Sequence, residues 1–333
     1  MNERAEERTN GRTRSSIRPL LHSSVLGTIG QTPLVALDRL TDGLPGRLLA
    51  KLEFFSPGHS VKDRIARRII EDAEADGRLQ PGGAVVELTS GNTGIGLAIV
   101  CAVRGYRFIA VMSAGNSVER RRMLHALGAR VELVPQVTGI PGMVTAEDLQ
   151  AVEARTVELA HRLKAFRPDQ FHNDSNVRAH EHGTGAELWQ QAGGRVDVWV
   201  ASPGTGGTLL GVARALKRHN PRVRVVCVEP ATVPFLAGKR IKSTRHKLEG
   251  TGYARTPAWW EAALVDDFIA ITDAEARRTA RTLARLEGIF AGPSSGANVA
   301  AAMKLAREAK RGAVIATVIN DTGLKYLSTD LFP

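Results

Sequence analysis

Lys62 stands in the segment Ser56-Pro57-Gly58-His59-Ser60-Val61-Lys62-Asp63-Arg64, which reads as the opening of a helix. Ser60 fits an N-cap, and Asp63 three residues later completes a capping-box-like pattern. Lys62 then lies in the first helical turn, at the positive end of the helix dipole, where a cation is disfavoured. A neutral amine is what Schiff-base chemistry needs. Taken alone, a lysine at a helix start is ordinarily a solvated surface residue.

Three turns have the composition of ligand sites. Thr89-Ser90-Gly91-Asn92-Thr93-Gly94 follows an apolar run at 84–88 and precedes a helical stretch. Hydroxyls, an amide and bare N–H groups at a helix start suit an anion such as a substrate carboxylate. The same residues also fit a plain strand-to-helix turn. Gly204-Thr205-Gly206-Gly207-Thr208 has the make-up of a phosphate cradle, with glycines that admit close backbone approach and two hydroxyl donors. No Lys-Ser/Thr pair follows it, and the G-x-G-x-x-G spacing is missing, so neither ATP nor NAD is favoured. Gly292-Pro293-Ser294-Ser295-Gly296-Ala297-Asn298 leads into an apolar helix, where Ser294 by itself fits an N-cap.

Such turns need strands and helices to hold them. Candidate strands fall at residues 48–52, 84–88, 107–111, 130–134, 196–201, 223–228 and 313–319. Amphipathic stretches such as 65–75, 95–104 and 118–127 lie between them. This alternation predicts an α/β protein with mostly parallel sheets, whose ligands sit at the C-terminal ends of strands. Gly and Pro cluster at 137–143 and 250–257, which read as mobile loops. Residues 1–20 read as a flexible basic tail, with five arginines and three glutamates in the first eighteen positions.

The 333 residues suggest two domains, and the composition is that of a globular chain. No apolar run has the length of a membrane span, and the polar start lacks a secretory h-region, so a cytoplasmic protein is expected. The net charge is +11, but the basic residues are scattered, and no nucleic-acid partner is expected. Cys101 and Cys227 have no metal-ligand spacing and read as buried thiols; no metal site is expected.

Taken together, the motifs resemble the fold-type II pyridoxal-phosphate (PLP) enzymes, and among them cysteine synthase (O-acetylserine sulfhydrylase) and the core of cystathionine β-synthase. The resemblance runs from about Val25 to Phe332, with Gly30-Gln31-Thr32-Pro33-Leu34 as its entry and Asp321-Thr322-Gly323-Leu324-Lys325-Tyr326 opening its closing motif. It implies a tryptophan-synthase-β-like fold: two domains, each with a mostly parallel twisted sheet flanked by helices, and PLP in the cleft between them. The larger domain would comprise 21–54 and 166–333, and the smaller, mobile one 55–165. It implies a Schiff base on Lys62, which also serves as the Cα base. Asn92 would bond the cofactor's phenolic oxygen, Gly204, Thr205, Gly206, Gly207 and Thr208 its phosphate, and Ser294 would face the pyridine nitrogen. Thr89, Ser90, Gly91, Asn92, Thr93, Gln170 and Gly250 would bind the substrate. The implied reaction is β-replacement on an O-activated L-serine, acetylated or phosphorylated, through an α-aminoacrylate, with sulfide giving L-cysteine. Alternatives are another small nucleophile, such as homocysteine or an amine, or a catalytically altered PLP-binding homologue. A homodimer is implied.

Two segments depart from the family pattern. Asn173-Asp174-Ser175-Asn176-Val177 lacks both prolines of the usual Asn-Pro-x-Asn-Pro text, and His172, Arg178, His180 and His182 crowd it. Asp174 reads as a loop-stabilising residue. The loop from Arg245 to Arg255 is strongly basic, and a cation there would favour an anionic leaving group such as phosphate.

Overall fold

The computed structural model describes residues 21–139 and 144–332. The expected tail at 1–20 and part of the expected loop at 137–143 lie outside the described residues. The strands are β1 (Leu34–Ala36), β2 (Arg47–Leu52), β3 (Ala84–Leu88), β4 (Arg107–Ser113), β5 (Arg130–Val134), β6 (Val198–Ala201), β7 (Arg224–Pro230), β8 (Asp267–Ile271) and β9 (Val314–Ile319). The helices are α1 (Lys62–Ala75), α2 (Asn92–Arg104), α3 (Val118–Ala126), α4 (Ala146–Leu163), α5 (Ser175–Ala179), α6 (Ala186–Gln191), α7 (Gly207–His219), α8 (Asp273–Glu287) and α9 (Pro293–Glu308).

The strands form two sheets. One is six-stranded, in the order β1-β2-β9-β6-β7-β8; the other is three-stranded, in the order β3-β4-β5. Every pairing is parallel except β1 with β2. Central strands of a parallel sheet are covered on both faces and so read as unbroken apolar runs. Val-Ile-Ala-Thr-Val-Ile of β9 is buried throughout. The two outer strands β1 and β8 go beyond the expected set. They are only half-buried over most of their length, so no continuous apolar run announces them.

Helix starts are set by side-chain caps at α4 and α8. Thr145 with Asp148, and Thr272 with Glu275, each form a reciprocal capping box. The expected box at Ser60 is absent. Val61 occupies the N-cap position of α1, and the Asp63 carboxylate instead accepts from the Gly58 N–H at 2.5 Å. Ser294 is not an N-cap either. Gly292 holds that position, Pro293 follows in the first turn, and Ser294 lies inside α9.

Packing follows the layers. α9 and α8 cover one face of the large sheet with Leu283, Val299 and Leu305, and Leu209, Val212 and Leu216 of α7 cover the other. Ile65, Ile69, Leu97 and Val100 of α1 and α2 pack on the small sheet. Cys101 and Cys227 are buried within α2 and β7.

Candidate active site

The strands β2, β9 and β6 are sheet neighbours and run the same way. Their C-terminal ends therefore deliver three segments to one edge: the lead into Lys62, Asn320 with Asp321, and the Gly204 loop. The 89–93 turn arrives from the end of β3 in the other sheet.

Two connected spaces result. A narrow inner cavity is lined by Lys62, Asn92, Gly204, Thr205, Gly206, Thr208, Gly250 and Ser294. An outer cleft of about 830 Å³ is lined by Thr89, Ser90, Gly91, Thr93 and Gln170, and Lys62, Asn92, Thr205, Glu249 and Gly250 are shared between the two. The structure thus gathers the expected site residues around one opening. Gly207 alone lies outside both walls: it starts α7, and a side chain there would strike the Asn176 amide oxygen.

Lys62 is the first residue of α1. Burial lowers its amine to about 8, while the negative charges of Asp321 and Glu53 act in the opposite sense. Burial thus leads the shift, rather than the helix dipole alone. The 89–93 turn and the Gly204 loop border the spaces that Lys62 lines and are joined by side chains. Thr93 Oγ1 donates to Gln170 Oε1 at 2.6 Å, and Asn176 Nδ2 donates to the Gln170 carbonyl at 2.7 Å and to Thr205 Oγ1 at 2.9 Å.

The Gly204 loop is shaped by close approach. Gly206 has φ +91, and a Cβ at Gly204 would run into the Gly250 carbonyl oxygen. With α7 beginning at Gly207, the N–H groups of its first turn have no intrahelical acceptor. His180 sits behind the loop, 3.2 Å from Thr208 Oγ1 through Nε2 and 2.9 Å from Thr184 Oγ1 through Nδ1. Burial holds its ring well below the ordinary histidine range, so it stays neutral. The sequence shows the histidine cluster but not that one member turns inward to hold a loop hydroxyl.

Asn92 is fixed from two sides. Its Nδ2 donates to Asp321 Oδ2 at 2.8 Å, and its Oδ1 accepts from Lys325 Nζ at 2.6 Å. Tyr326 Oη also donates to Asp321 Oδ2, at 2.7 Å. Ser294 Oγ accepts from Asn320 Nδ2 at 3.1 Å. Below the 89–93 turn lies Glu87, whose carboxylate accepts from the Asp169 N–H at 2.8 Å and is pushed up to about 8 by burial. Asn320, Asp321, Lys325 and Glu87 were not singled out as site residues from sequence. Asp321 and Lys325 stand in the closing motif and Glu87 in an expected strand, but no local spacing shows which distant group each of them meets.

The departures have structural partners too. The Asp174 carboxylate accepts from Trp259 Nε1 at 2.8 Å, which matches its reading as a stabilising residue. In the basic loop, Glu249 pairs with Arg120 across the cleft and Lys247 pairs with Asp330. The Arg255 guanidinium lies 3.7 Å from the centroid of the Phe171 ring.

The model of the pyridoxal-phosphate dependent enzyme family matches residues 25–321. The O-ureido-L-serine synthase of Streptomyces lavendulae is 42% identical over 313 residues, covering 94% of this chain and 93% of that one. A cysteine synthase of Staphylococcus aureus is 41% identical over 305 residues, covering 91% and 95%. Among solved structures, an O-ureido-L-serine synthase superposes with a TM-score of 0.86 at 42% identity, over 94% of this chain and 95% of that one. O-acetyl serine sulfhydrylase isoform 3 from Entamoeba histolytica gives 0.86 at 38% identity, over 95% and 92%.

The residues present fit the group that this family carries. Ser202 Oγ and Asp321 Oδ1 are buried with no hydrogen-bond partner among the described residues, and both residues line the inner cavity. Unpaired buried polar atoms are costly and mark a place where a polar group belongs. The glycine-rich backbone leading into α7 suits a phosphate, and the Lys62 amine, shifted toward its neutral form, suits an aldehyde.

Proposed function

The chain belongs to the pyridoxal-phosphate-dependent enzymes, in the group of the cysteine synthases, and we propose that it catalyses β-replacement on an O-activated L-serine, with sulfide as nucleophile and L-cysteine as product. The observation that carries this reading is the position of Lys62, which lines both the inner cavity, together with the Gly204 loop, and the outer cleft, together with the 89–93 turn. Pyridoxal phosphate, when bound, supplies the electron sink that makes the Cα–H of an amino acid acidic.

The chain's own residues supply the rest. The Gly204 loop and the first turn of α7 would hold the phosphate, with His180 steadying Thr208. Ser294 would face the ring nitrogen as a neutral hydroxyl rather than a carboxylate. Asn92 would offer its amide N–H to the phenolic oxygen, since Lys325 already holds its carbonyl side. The 89–93 turn, braced by Gln170, would take the substrate carboxylate. Lys62 is then the base within reach of Cα; it takes that proton and the β-substituent leaves. Sulfide enters through the cleft and bonds to Cβ, and Lys62 returns the proton to Cα.

A second reading has a nucleophile larger than sulfide, such as homocysteine or an amine. It is favoured by the relative named O-ureido-L-serine synthase, which is as similar to this chain as the cysteine synthase is. A homodimer and a cytoplasmic location belong to the same proposal; none of the described helices is long and apolar enough to cross a membrane. Sedimentation of the loaded protein at the mass of one chain would remove the dimer.

The deciding assay gives the loaded enzyme O-acetyl- or O-phospho-L-serine, and then sulfide, homocysteine or an amine. L-Cysteine formation that is lost in Lys62→Ala is expected. Consumption of the serine ester only with a larger nucleophile selects the second reading, and no consumption with any of them overturns both.

A further inference from the structure

We propose that Arg255 determines specificity by receiving an oxyanion carried on the β-substituent of a reactant, either the phosphate of a leaving group or a carboxylate on the nucleophile. The inference rests on the β-replacement reading.

Arg255 lines the outer cleft together with Phe171, Tyr253 and Gln170. Its guanidinium covers the Phe171 face, with Tyr253 further out at 6.0 Å. Phe171 and Tyr253 meet edge to face at 5.8 Å. An aromatic platform holds the planar cation in place while leaving its N–H edge available.

Other arginines of the same cleft are neutralised. Arg120 pairs with Glu249, and Arg167 pairs with Glu153. Among the described residues, no hydrogen bond or ion pair engages Arg255. Asp169 acts on it electrostatically, but its carboxylate is 3.0 Å from His172 Nδ1. A guanidinium held in a cleft with its donors open focuses potential onto an incoming anion.

The substrate's α-carboxylate is not that anion in this reading, because the 89–93 turn takes it. Arg255 belongs to a different wall, the segment that follows Gly250. A neutral acetyl ester still attached to Cβ, or sulfide, offers this cation no bidentate anion. A phosphate or a second carboxylate gives it one.

Binding can be read without turnover in PLP-loaded Lys62→Ala protein. O-phospho-L-serine is compared with O-acetyl-L-serine, and S-carboxymethyl-L-cysteine with S-methyl-L-cysteine, by calorimetry. At least one anionic ligand should bind about tenfold more tightly than its neutral counterpart, ~1.4 kcal/mol. Arg255→Met should abolish the difference, and Arg255→Lys should keep part of it. A preference confined to the phosphate pair assigns the anion to the leaving group, and one confined to the carboxylate pair assigns it to the nucleophile. Equal affinities in both pairs, or a difference that survives Arg255→Met, overturns the proposal. If the unmodified enzyme turned over no serine ester while Arg255-dependent anion binding remained, the β-replacement reading would fail and the Arg255 site would stand.

Discussion

The Lys62 amine, proposed above as the cofactor anchor, is shifted chiefly by burial. Removal from water lowers the amine to about 8, and Asp321 and Glu53 pull it part of the way back. Only the neutral amine attacks an aldehyde, so protonation gates cofactor capture. Cofactor-stripped protein should therefore take up PLP faster as the pH rises, with a midpoint near 8 instead of the ordinary 10.5. Asp321→Asn removes a negative neighbour that favours the cation, so the midpoint should move down. Absorbance time courses across the pH range check both. A wild-type midpoint near 10.5, or an upward move in the variant, would count against this account. The lysine itself was legible from its motif. Its chemical state was not, because Asp321 and Glu53 reach it from distant or separately folded segments.

At the scale of elements, α1 is clamped to its neighbours by a buried ionic cluster. Arg64 Nε donates to Glu53 Oε2 at 2.6 Å, and Arg64 Nη1 donates to Glu187 Oε1 at 2.7 Å. Lys51 Nζ, from the interior of β2, donates to Glu187 Oε2 at 2.7 Å. Burial would raise the Glu187 carboxyl, but Arg64 and Lys51 overcome this and hold it down to about 2. Its folded value lies below the ordinary 4.5, so its contribution to stability is present above pH 4.5 and is lost as the pH falls through about 2. Glu187→Ala leaves Lys51 buried without its ion-pair partner and should cost about 3–5 kcal/mol. Urea unfolding at neutral pH measures this, and a loss below about 1 kcal/mol, the value of a surface pair, would reject the clamp. Arg64 stands in the motif around Lys62, but no local pattern pairs it with Glu53 or Glu187, or Lys51 with Glu187. Charged residues inside apolar strands and helices look like surface positions until the partner from another element is seen.

At the scale of the molecule, the cleft lies between a six-stranded and a three-stranded sheet. We propose that residues 55–165, which carry the smaller sheet, move as a unit against residues 21–54 and 166–333 when substrate binds. The Arg120–Glu249 pair supports this, since it joins α3 beside the small sheet to the loop beside Gly250. Both side chains are partly exposed, so the pair should be worth about 0.2–1 kcal/mol. Glu249→Gln should then raise KM for the serine ester by about 2–5-fold and change kcat little, the mark of lost uniform binding. A fall in kcat with KM unchanged would place Glu249 in the chemistry instead of the closure.

The sequence by itself determined the α/β class, the order of the motifs and the family. Those features are local: glycines and hydroxyls at strand ends, a lysine at a helix start, and apolar runs for central strands. It also carried the candidate site as a set of names, from Lys62 and Asn92 to the Gly204 loop and Ser294. Only the tertiary structure decided how those residues are held. Lys325 fixes the Asn92 amide, His180 holds Thr208, and Asn176 ties the substrate segment to the Gly204 loop. It also decided that Arg255 lies on Phe171 with no hydrogen-bond or ion-pair partner among the described residues, while Arg120, in the same cleft, is paired. The physical reason is that charge state and side-chain orientation depend on burial and on partners far apart in the chain, which no local pattern encodes.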